Sequence, residues 1–195
     1  NTPLSMRIIA GHFKGRRLHA PKGSEIRPTS DNIREAIFNV LTHGLTAWRG
    51  TLAGASIVDV FAGTGSLGLE ALSRNAAHAT FIDNAPASLA ITKKNVATLG
   101  IWPNVTILKL NATRLAPPPL AARAPCTLAF LDAPYNKELT QPALTSLKLN
   151  GWLAHDALVV IETAVNEILT LGSDYIFLEE RTYGVAKVTF LKFCP

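Results

Sequence analysis

Short apolar runs alternate with amphipathic segments along most of the chain that follows Ser56. The apolar runs have the length of buried strands: SIVDVF, ATFID, VTILKL, CTLAFLD and ALVVIET. Three intervening segments carry apolar residues at helical spacing: SLGLEALSR, ASLAITKKNVATLG and KELTQPALTSLKLN. Strands that alternate with helices indicate a parallel sheet that is covered on both faces. The pattern therefore predicts an α/β fold.

The C-terminal stretch breaks this rhythm. YIFLEERTYGVAKVTFLKF contains two strand-like runs around Tyr183-Gly184, which is typical of an antiparallel pair. We therefore expect a mostly parallel sheet of seven strands that the C-terminal antiparallel pair closes at one edge.

The first fifty residues follow a different pattern. MRIIAGHFKGRRLHAP predicts a small β-hairpin whose two short strands are broken by Gly11 and Gly15. IRPTSDNIREAIFNVL then predicts a helix with Thr29 or Ser30 as its N-cap. Arg34 lies off the apolar stripe of that helix, so we expect its side chain to be exposed.

These patterns divide the chain into three parts. Residues 1–5, NTPLS, precede a methionine that is typical of a natural start, so we interpret them as a remnant of expression. Residues 6–50 form an extension of hairpin and helix, and residues 51–195 form the main α/β domain.

The net charge comes from the extension. Through Gly50 the chain has eight basic and three acidic residues, which accounts for the whole net charge of +5. A basic segment beside a neutral body indicates a surface for a polyanion, most simply nucleic acid, although a solvated basic arm would have the same composition. The candidate RNA contacts are Arg7, Lys14, Arg16, Arg17, Lys22 and Arg34.

Length and composition narrow the class of protein. A chain of 195 residues, 48% of them hydrophobic, suits one large globular domain. No apolar run approaches the roughly 20 residues of a membrane span. Cys126 and Cys194 offer neither a metal-binding spacing nor a disulfide framework. We expect a cytoplasmic monomer that binds no metal and no membrane.

DVFAGTGSLGLEAL contains a candidate ligand-binding loop. Ligands bind beyond the carboxyl ends of strands in open α/β sheets, so the first strand would deliver Asp59, Phe61 and Gly63 to a crevice. Glycines at 63 and 65 permit a tight turn and close approach to a ligand. Asp83 ends the next strand, 20 residues after Gly63, as expected for a carboxylate that binds a ribose diol. The glycine pattern by itself would also fit a nicotinamide dinucleotide.

Asp59 favours a different ligand. A carboxylate 4–6 Å from a pyrophosphate would repel it by roughly 3–4 kcal/mol per charge pair at an effective dielectric near 20. The ammonium and sulfonium groups of S-adenosylmethionine would instead be attracted. We therefore favour S-adenosylmethionine as the cofactor. After the third strand, Asn111 would accept from the adenine amine and the N–H of Ala112 would donate to an adenine ring nitrogen.

FLDAPY, at the end of the fourth strand, has the groups needed to activate an exocyclic amine. Such an amine is a poor nucleophile because its lone pair is delocalised into the ring. The Asp132 carboxylate and the carbonyl of Ala133 or Pro134 would accept the amine hydrogens and localise that lone pair. Tyr135 would stack on the base, and Asp132 would take the proton. A base inside a duplex cannot reach such a site, so it must be flipped out or unpaired.

Together these motifs resemble the bacterial 16S ribosomal RNA guanine-N2 methyltransferases. The match runs nearly the whole length from Met6 and includes MRIIAGHFKGRRL, RPTSDNIREAIFN, DVFAGTGSLGLEAL, FID, LDAPY, NGWLA and RTYG…KVTFLKF. The resemblance implies a Rossmann-like class I methyltransferase fold. It implies methyl transfer from S-adenosylmethionine, with S-adenosylhomocysteine as product, to one guanine of small-subunit rRNA (the guanine 966 type).

The resemblance also implies roles for particular residues. Its cofactor contacts fall on Asp59, Gly63, Gly65, Asp83, Asn111 and Ala112. It implies that the Arg27-Pro28-Thr29 loop folds over cofactor and base, and that residues 132–135 form the catalytic loop. The implied partner is 16S rRNA or the small ribosomal subunit.

Three other hypotheses remain open at this point. The acid-proline-tyrosine loop would equally serve the N6 amine of adenine in DNA or RNA. An NAD-dependent oxidoreductase would share the glycine turn. An RNA-binding module without enzymatic activity would share the basic extension and would bind RNA with a steep salt dependence.

Ala133 departs from the family pattern, which has a second proline at this position. Any residue supplies the carbonyl, but alanine allows more backbone conformers, and X-to-Pro effects are about 0.4–1 kcal/mol. We expect Ala133→Pro to leave the methyl-transfer rate equal or higher, measured against the wild-type protein. A large loss of rate would mean that the loop is built differently in this chain.

Overall fold

The computed structural model describes residues 6–22 and 31–195. At its centre is a seven-stranded sheet of order β3-β2-β1-β4-β5-β7-β6. The strands are β1 (Ser56–Val60), β2 (His78–Asp83), β3 (Val105–Lys109), β4 (Cys126–Asp132), β5 (Leu153–Ala164), β6 (Tyr175–Tyr183) and β7 (Ala186–Phe193). Strands β1 to β5 are parallel, and β7 is antiparallel to both β5 and β6. The predicted fold class is confirmed.

Four helices cover the sheet. They are α1 (Asp31–Asn39), α2 (Ser66–Ser73), α3 (Pro86–Leu99) and α4 (Thr140–Leu149). A π-helical turn, Val40–Gly44, extends α1, whereas the predicted N-cap of α1 lies outside the described residues. Over residues 6–22 and 31–195, no helix is long and apolar enough to cross a membrane.

Alternate strand residues face two separate core layers. Ile57, Phe81, Phe130 and Val160 point toward the layer that contains α1 and α2. Their neighbours in sequence, such as Val58, point toward the layer that contains α4. Because side chains alternate along a strand, Asp59, Asp83, Asp132 and Glu162 continue the first series, two residues beyond Ile57, Phe81, Phe130 and Val160. Four carboxyl groups therefore belong to one face of the sheet, at its carboxyl edge.

The N-terminal hairpin forms with less strand than predicted. Its two arms share one isolated antiparallel bridge, Arg7 to Arg17, supported by a hydrogen bond from Leu18 N to Met6 O of 2.8 Å. Its backbone is held mainly by α2. The N–H groups of Ile9 and Ala10 donate to the buried Glu70 carboxylate at 2.9 and 3.0 Å.

Arg34 is buried, so its predicted role as an exposed RNA contact is wrong. Its side chain is fully inaccessible to solvent. Its Nη2 donates to the Arg7 carbonyl and, at 2.9 Å, to Asp31, and its Nε lies 3.9 Å from Glu70. Hydrophobic periodicity alone assigns every arginine of a helix to its exposed face. The hairpin and α2 instead supply the partners that a buried guanidinium needs.

We expect Gly68→Ala to destabilise the protein. A Cβ at Gly68 would lie 2.5 Å from Cε1 and 2.8 Å from Cζ of Phe81, so α2 would have to move away from the sheet. The expected loss in free energy of unfolding is about 1–3 kcal/mol, measured by denaturant titration. Gly172→Ala is the control, because a Cβ there meets nothing within 4 Å. Equal values for the two variants would contradict this account.

Candidate active site

A cavity of about 680 Å³ opens at the carboxyl edge of the sheet. It is formed where the loops that follow β1, β2, β3 and β4 converge, as the parallel topology requires. Most of the predicted site residues line it together: Asp59, Phe61, Gly63, Asp83, Asn111, Ala112, Asp132, Ala133, Pro134 and Tyr135.

The glycine loop is held in shape by hydrogen bonds to its backbone. The Gly63 N–H donates to Asp83 Oδ2 at 3.0 Å, and the Thr92 hydroxyl donates to the Gly63 carbonyl at 2.8 Å. Asn95 Nδ2 donates to the Thr64 carbonyl at 2.9 Å. Phe61 has a φ of +58°, a conformation that is costly for a bulky residue and is found preferentially at functional sites.

Asp59 is a titratable group rather than the fixed negative charge that the sequence suggested. Its side chain is 2% exposed and accepts a hydrogen bond from the Gly68 N–H at 3.0 Å. Burial raises the pKa of Asp59 to about 8; the Gly68 hydrogen bond lowers the pKa and the nearby Asp83 raises it. The carboxyl group therefore keeps its proton at neutral pH unless a cation lies beside it.

Asp83 is oriented by hydrogen bonds from two backbone N–H groups. Oδ2 accepts from Gly63, and Oδ1 accepts from the Ala85 N–H at 2.9 Å. A carboxylate has about four acceptor positions, so two bonds leave it able to accept hydroxyl groups of a ligand. The side chain is half-buried and lines the cavity.

Two predicted cofactor contacts have a structural function that the sequence did not reveal. Gly65 does not line the cavity; it caps α2 with a φ of +78°, and a Cβ there would lie 3.2 Å from Thr92 and 3.3 Å from Phe81. Asn111 does line the cavity, but its Oδ1 already accepts from the backbone N–H and hydroxyl of Thr113, at 3.0 and 2.7 Å. The predicted acceptor for an adenine amine is therefore engaged in a local turn.

The proposed catalytic loop also lines the cavity. Asp132 is half-buried, Ala133 is buried and Pro134 is exposed. The Tyr135 hydroxyl donates to Glu162 Oε2 at 2.7 Å, which fixes one end of the aromatic ring.

Glu162 was missed by sequence reasoning. It lies within ALVVIET, which the apolar pattern marked only as a strand, and it pairs in register with Asp132. Its side chain is 6% exposed and lines the cavity. The available signal was a charged residue near the end of an apolar strand. That strand pairs with the strand that carries the proposed catalytic acid, Asp132.

The predicted RNA contacts that the structure describes do not line the cavity. Five of the six predicted RNA contacts are exposed: Arg7, Lys14, Arg16, Arg17 and Lys22. Their contact with RNA stays a prediction. Arg27 and Thr29 lie outside the described residues. Within the part of the chain that the structure describes, no cluster of three or more histidine, cysteine or acidic residues is arranged to hold a metal ion.

The chain is similar to known proteins over almost its full length. Residues 6–192 match the family model described as "Conserved hypothetical protein 95". The chain is 36% identical over 181 residues to "Ribosomal RNA small subunit methyltransferase D" of Escherichia coli (strain K12), covering 92% of this chain and 85% of that protein. The protein of the same name from Haemophilus influenzae is 31% identical over 186 residues, covering 95% and 92%.

Solved structures give the same result. The structure of "Putative methyltransferase yhhF from Escherichia coli" has a TM-score of 0.81 with this chain at 31% identity. The alignment covers 98% of this chain and 99% of that one. The seven-stranded sheet and the N-terminal hairpin therefore fall within the aligned region.

Asp59→Asn should change how stability depends on pH. The folded pKa of about 8 lies above the usual value near 3.9, so between pH 4 and 8 the unfolded state loses its proton first. Stability therefore falls as the pH rises through this window, by at most about 1.4 kcal/mol per pH unit for one group. Denaturant unfolding at pH 5 and pH 8 should show a smaller drop in the free energy of unfolding for Asp59→Asn than for wild type. Identical drops would mean that Asp59 ionises normally.

Proposed function

The chain belongs to the family of the ribosomal RNA small subunit methyltransferases D, and we propose that it methylates the exocyclic N2 amine of a guanine in small-subunit rRNA. The methyl donor in this proposal is S-adenosylmethionine. The observation that carries the proposal is that one cavity is lined both by a buried carboxyl group, Asp59, and by the Asp132–Tyr135 loop.

The donor end suits a cationic nucleoside. Asp59 is a buried carboxyl group that an ammonium would ionise and pair with. Asp83 presents an oriented carboxylate with spare acceptor positions for ribose hydroxyls. The cavity volume of about 680 Å³ falls in the range of small-molecule sites. S-adenosylmethionine, when bound, supplies an electrophilic methyl group and leaves as a neutral thioether.

The other end suits a flat base that carries an amine. Asp132 and the carbonyl of Ala133 or Pro134 accept the two N2 hydrogens, so that the nitrogen lone pair is directed at the methyl carbon. The carbon–nitrogen bond forms as the carbon–sulfur bond breaks, and Asp132 takes the proton that N2 loses. Tyr135 holds the base in line by stacking, because its hydroxyl is fixed on Glu162.

The basic extension supplies affinity for the RNA backbone in this proposal. Arg7, Lys14, Arg16 and Arg17 are exposed on a hairpin anchored to α2, the helix that directly follows the glycine loop. Phosphate contacts of this kind position the RNA without reading its sequence. The target guanine then leaves its stack to reach the cavity.

The test measures methyl transfer from radiolabelled S-adenosylmethionine to small-subunit rRNA, both free and in assembled subunits. Digestion to nucleosides and mass spectrometry identify the modified base. Wild type should produce N2-methylguanosine, and Asp132→Ala should lower the rate about 10²–10⁴-fold. Glu180→Gln, an exposed carboxylate changed on the edge strand β6, is the control and should match wild type.

The outcomes separate the hypotheses. N6-methyladenosine in place of N2-methylguanosine would move the activity to adenine. Binding of RNA without methyl transfer, unaffected by Asp132→Ala, would indicate a binding module. Affinity for a nicotinamide dinucleotide together with none for S-adenosylmethionine would overturn the proposal.

A further inference from the structure

A second carboxylate lies beside the proposed catalytic acid. Glu162 and Asp132 are register partners on the adjacent parallel strands β5 and β4, so their backbones are about 4.8 Å apart. Both residues fall on the same face of the sheet, two positions beyond the core residues Val160 and Phe130. Both line the cavity.

The two oxygens of Glu162 have different surroundings. Oε2 accepts the Tyr135 hydroxyl at 2.7 Å. Oε1 is buried and has no hydrogen-bond partner among the described residues. A buried carboxylate oxygen without a partner costs free energy, and native proteins rarely retain one without a function.

We propose that Glu162 selects guanine by accepting the N1–H of the target base at Oε1. This inference rests on the proposed function and names the residue that gives it base specificity. Guanine presents N1–H and the N2 amine side by side, as adjacent donors on one edge. Asp132 and Glu162 are two acceptors side by side at the ends of adjacent strands, and flipped bases are read on that edge.

Adenine is excluded by the same arrangement. Its N1 has no hydrogen and is itself an acceptor, so it would face the Glu162 carboxylate with no proton between them. A site whose buried polar group is left unpaired discriminates strongly against the analogue that lacks the matching donor. Asp132 alone offers no such discrimination, because an exocyclic amine occurs on both bases.

Tyr135 both orients Glu162 and covers it. The hydroxyl on Oε2 fixes the rotation of the carboxylate and so the direction of Oε1. The loop beyond the strand is largely exposed at Pro134 and at residues 136–138. A turn of the ring as the base stacks on it opens Oε1 to the base.

The test compares two bases that carry the same amine. 2-Aminopurine keeps the N2 amine of guanine but has an unprotonated N1. The position that wild type methylates is first mapped in guanine-containing RNA, and the same RNA is then made with 2-aminopurine at that position. The measured quantity is the ratio of kcat/KM for guanine to kcat/KM for 2-aminopurine.

Wild type should prefer guanine by about 100-fold or more. Glu162→Gln should lower that preference at least tenfold, because a carboxamide donates to the bare N1 as readily as it accepts from N1–H. Glu180→Gln should keep the wild-type ratio. Tyr135→Phe should slow both substrates and lower the ratio less than Glu162→Gln does, since it removes the hydroxyl that orients the carboxylate but leaves both of its oxygens able to accept.

Each other result counts against the inference. An unchanged ratio in Glu162→Gln, with both substrates slowed equally, would reduce Glu162 to a support for Tyr135. The same conclusion would follow if Tyr135→Phe lowered the preference for guanine over 2-aminopurine as far as Glu162→Gln does. If wild type methylates no guanine in any RNA tested, the proposed function itself is wrong. That outcome is distinct from loss of discrimination in an active enzyme.

Discussion

Helix α2 has neighbours on every side, so each of its polar groups must find a partner inside the protein. All eight of its residues are buried. On the inner side Gly68 allows contact with Phe81. On the outer side Glu70 binds the N–H groups of Ile9 and Ala10 and pairs with Arg74 at 2.9 Å. Because a buried carboxylate is tolerated only when it is paired, the hairpin N–H groups contribute to the stability of α2. The glycine loop that begins α2 and the basic hairpin that covers it are therefore positioned by one helix.

Much of the fold follows from local sequence patterns. The strand β4 was predicted at its observed bounds, and Gly100 ends α3 in the left-handed conformation expected of a helix-terminating glycine. The rule that ligands bind at the carboxyl edge of a parallel sheet correctly predicts that Asp59, Asp83 and Asp132 line one cavity. These predictions succeed because periodicity and strand direction are properties of single segments.

The sequence does not reveal the role of a side chain where that role depends on a particular hydrogen-bond partner or on strand register. Arg34 is buried because Glu70 and the Arg7 carbonyl, neither of them near it in sequence, meet it. Asn111 Oδ1 accepts two hydrogen bonds from Thr113 that composition alone does not predict, and the role of Asn111 in cofactor binding stays a prediction. Glu162 becomes visible only through the register of β5 against β4, and register depends on tertiary pairing rather than on the strand itself.

The extension and the cavity differ in charge, and this difference bears on how the phosphates and the bases of RNA would be bound. The net charge of +5 resides in the first fifty residues, and six of the cations that the structure describes there are exposed. The described residues that line the cavity include four acidic side chains and no lysine or arginine. We expect phosphates to be attracted to the extension and repelled by the ionised carboxylates of the cavity, since like charges at 4–6 Å oppose each other by several kcal/mol at intermediate dielectric. A neutral, flat base meets no such barrier, and donors on its edge are favoured by carboxylate acceptors. In the proposed function, the same carboxyl groups that suit a cationic donor therefore oppose entry of the polyanionic backbone and favour entry of the base.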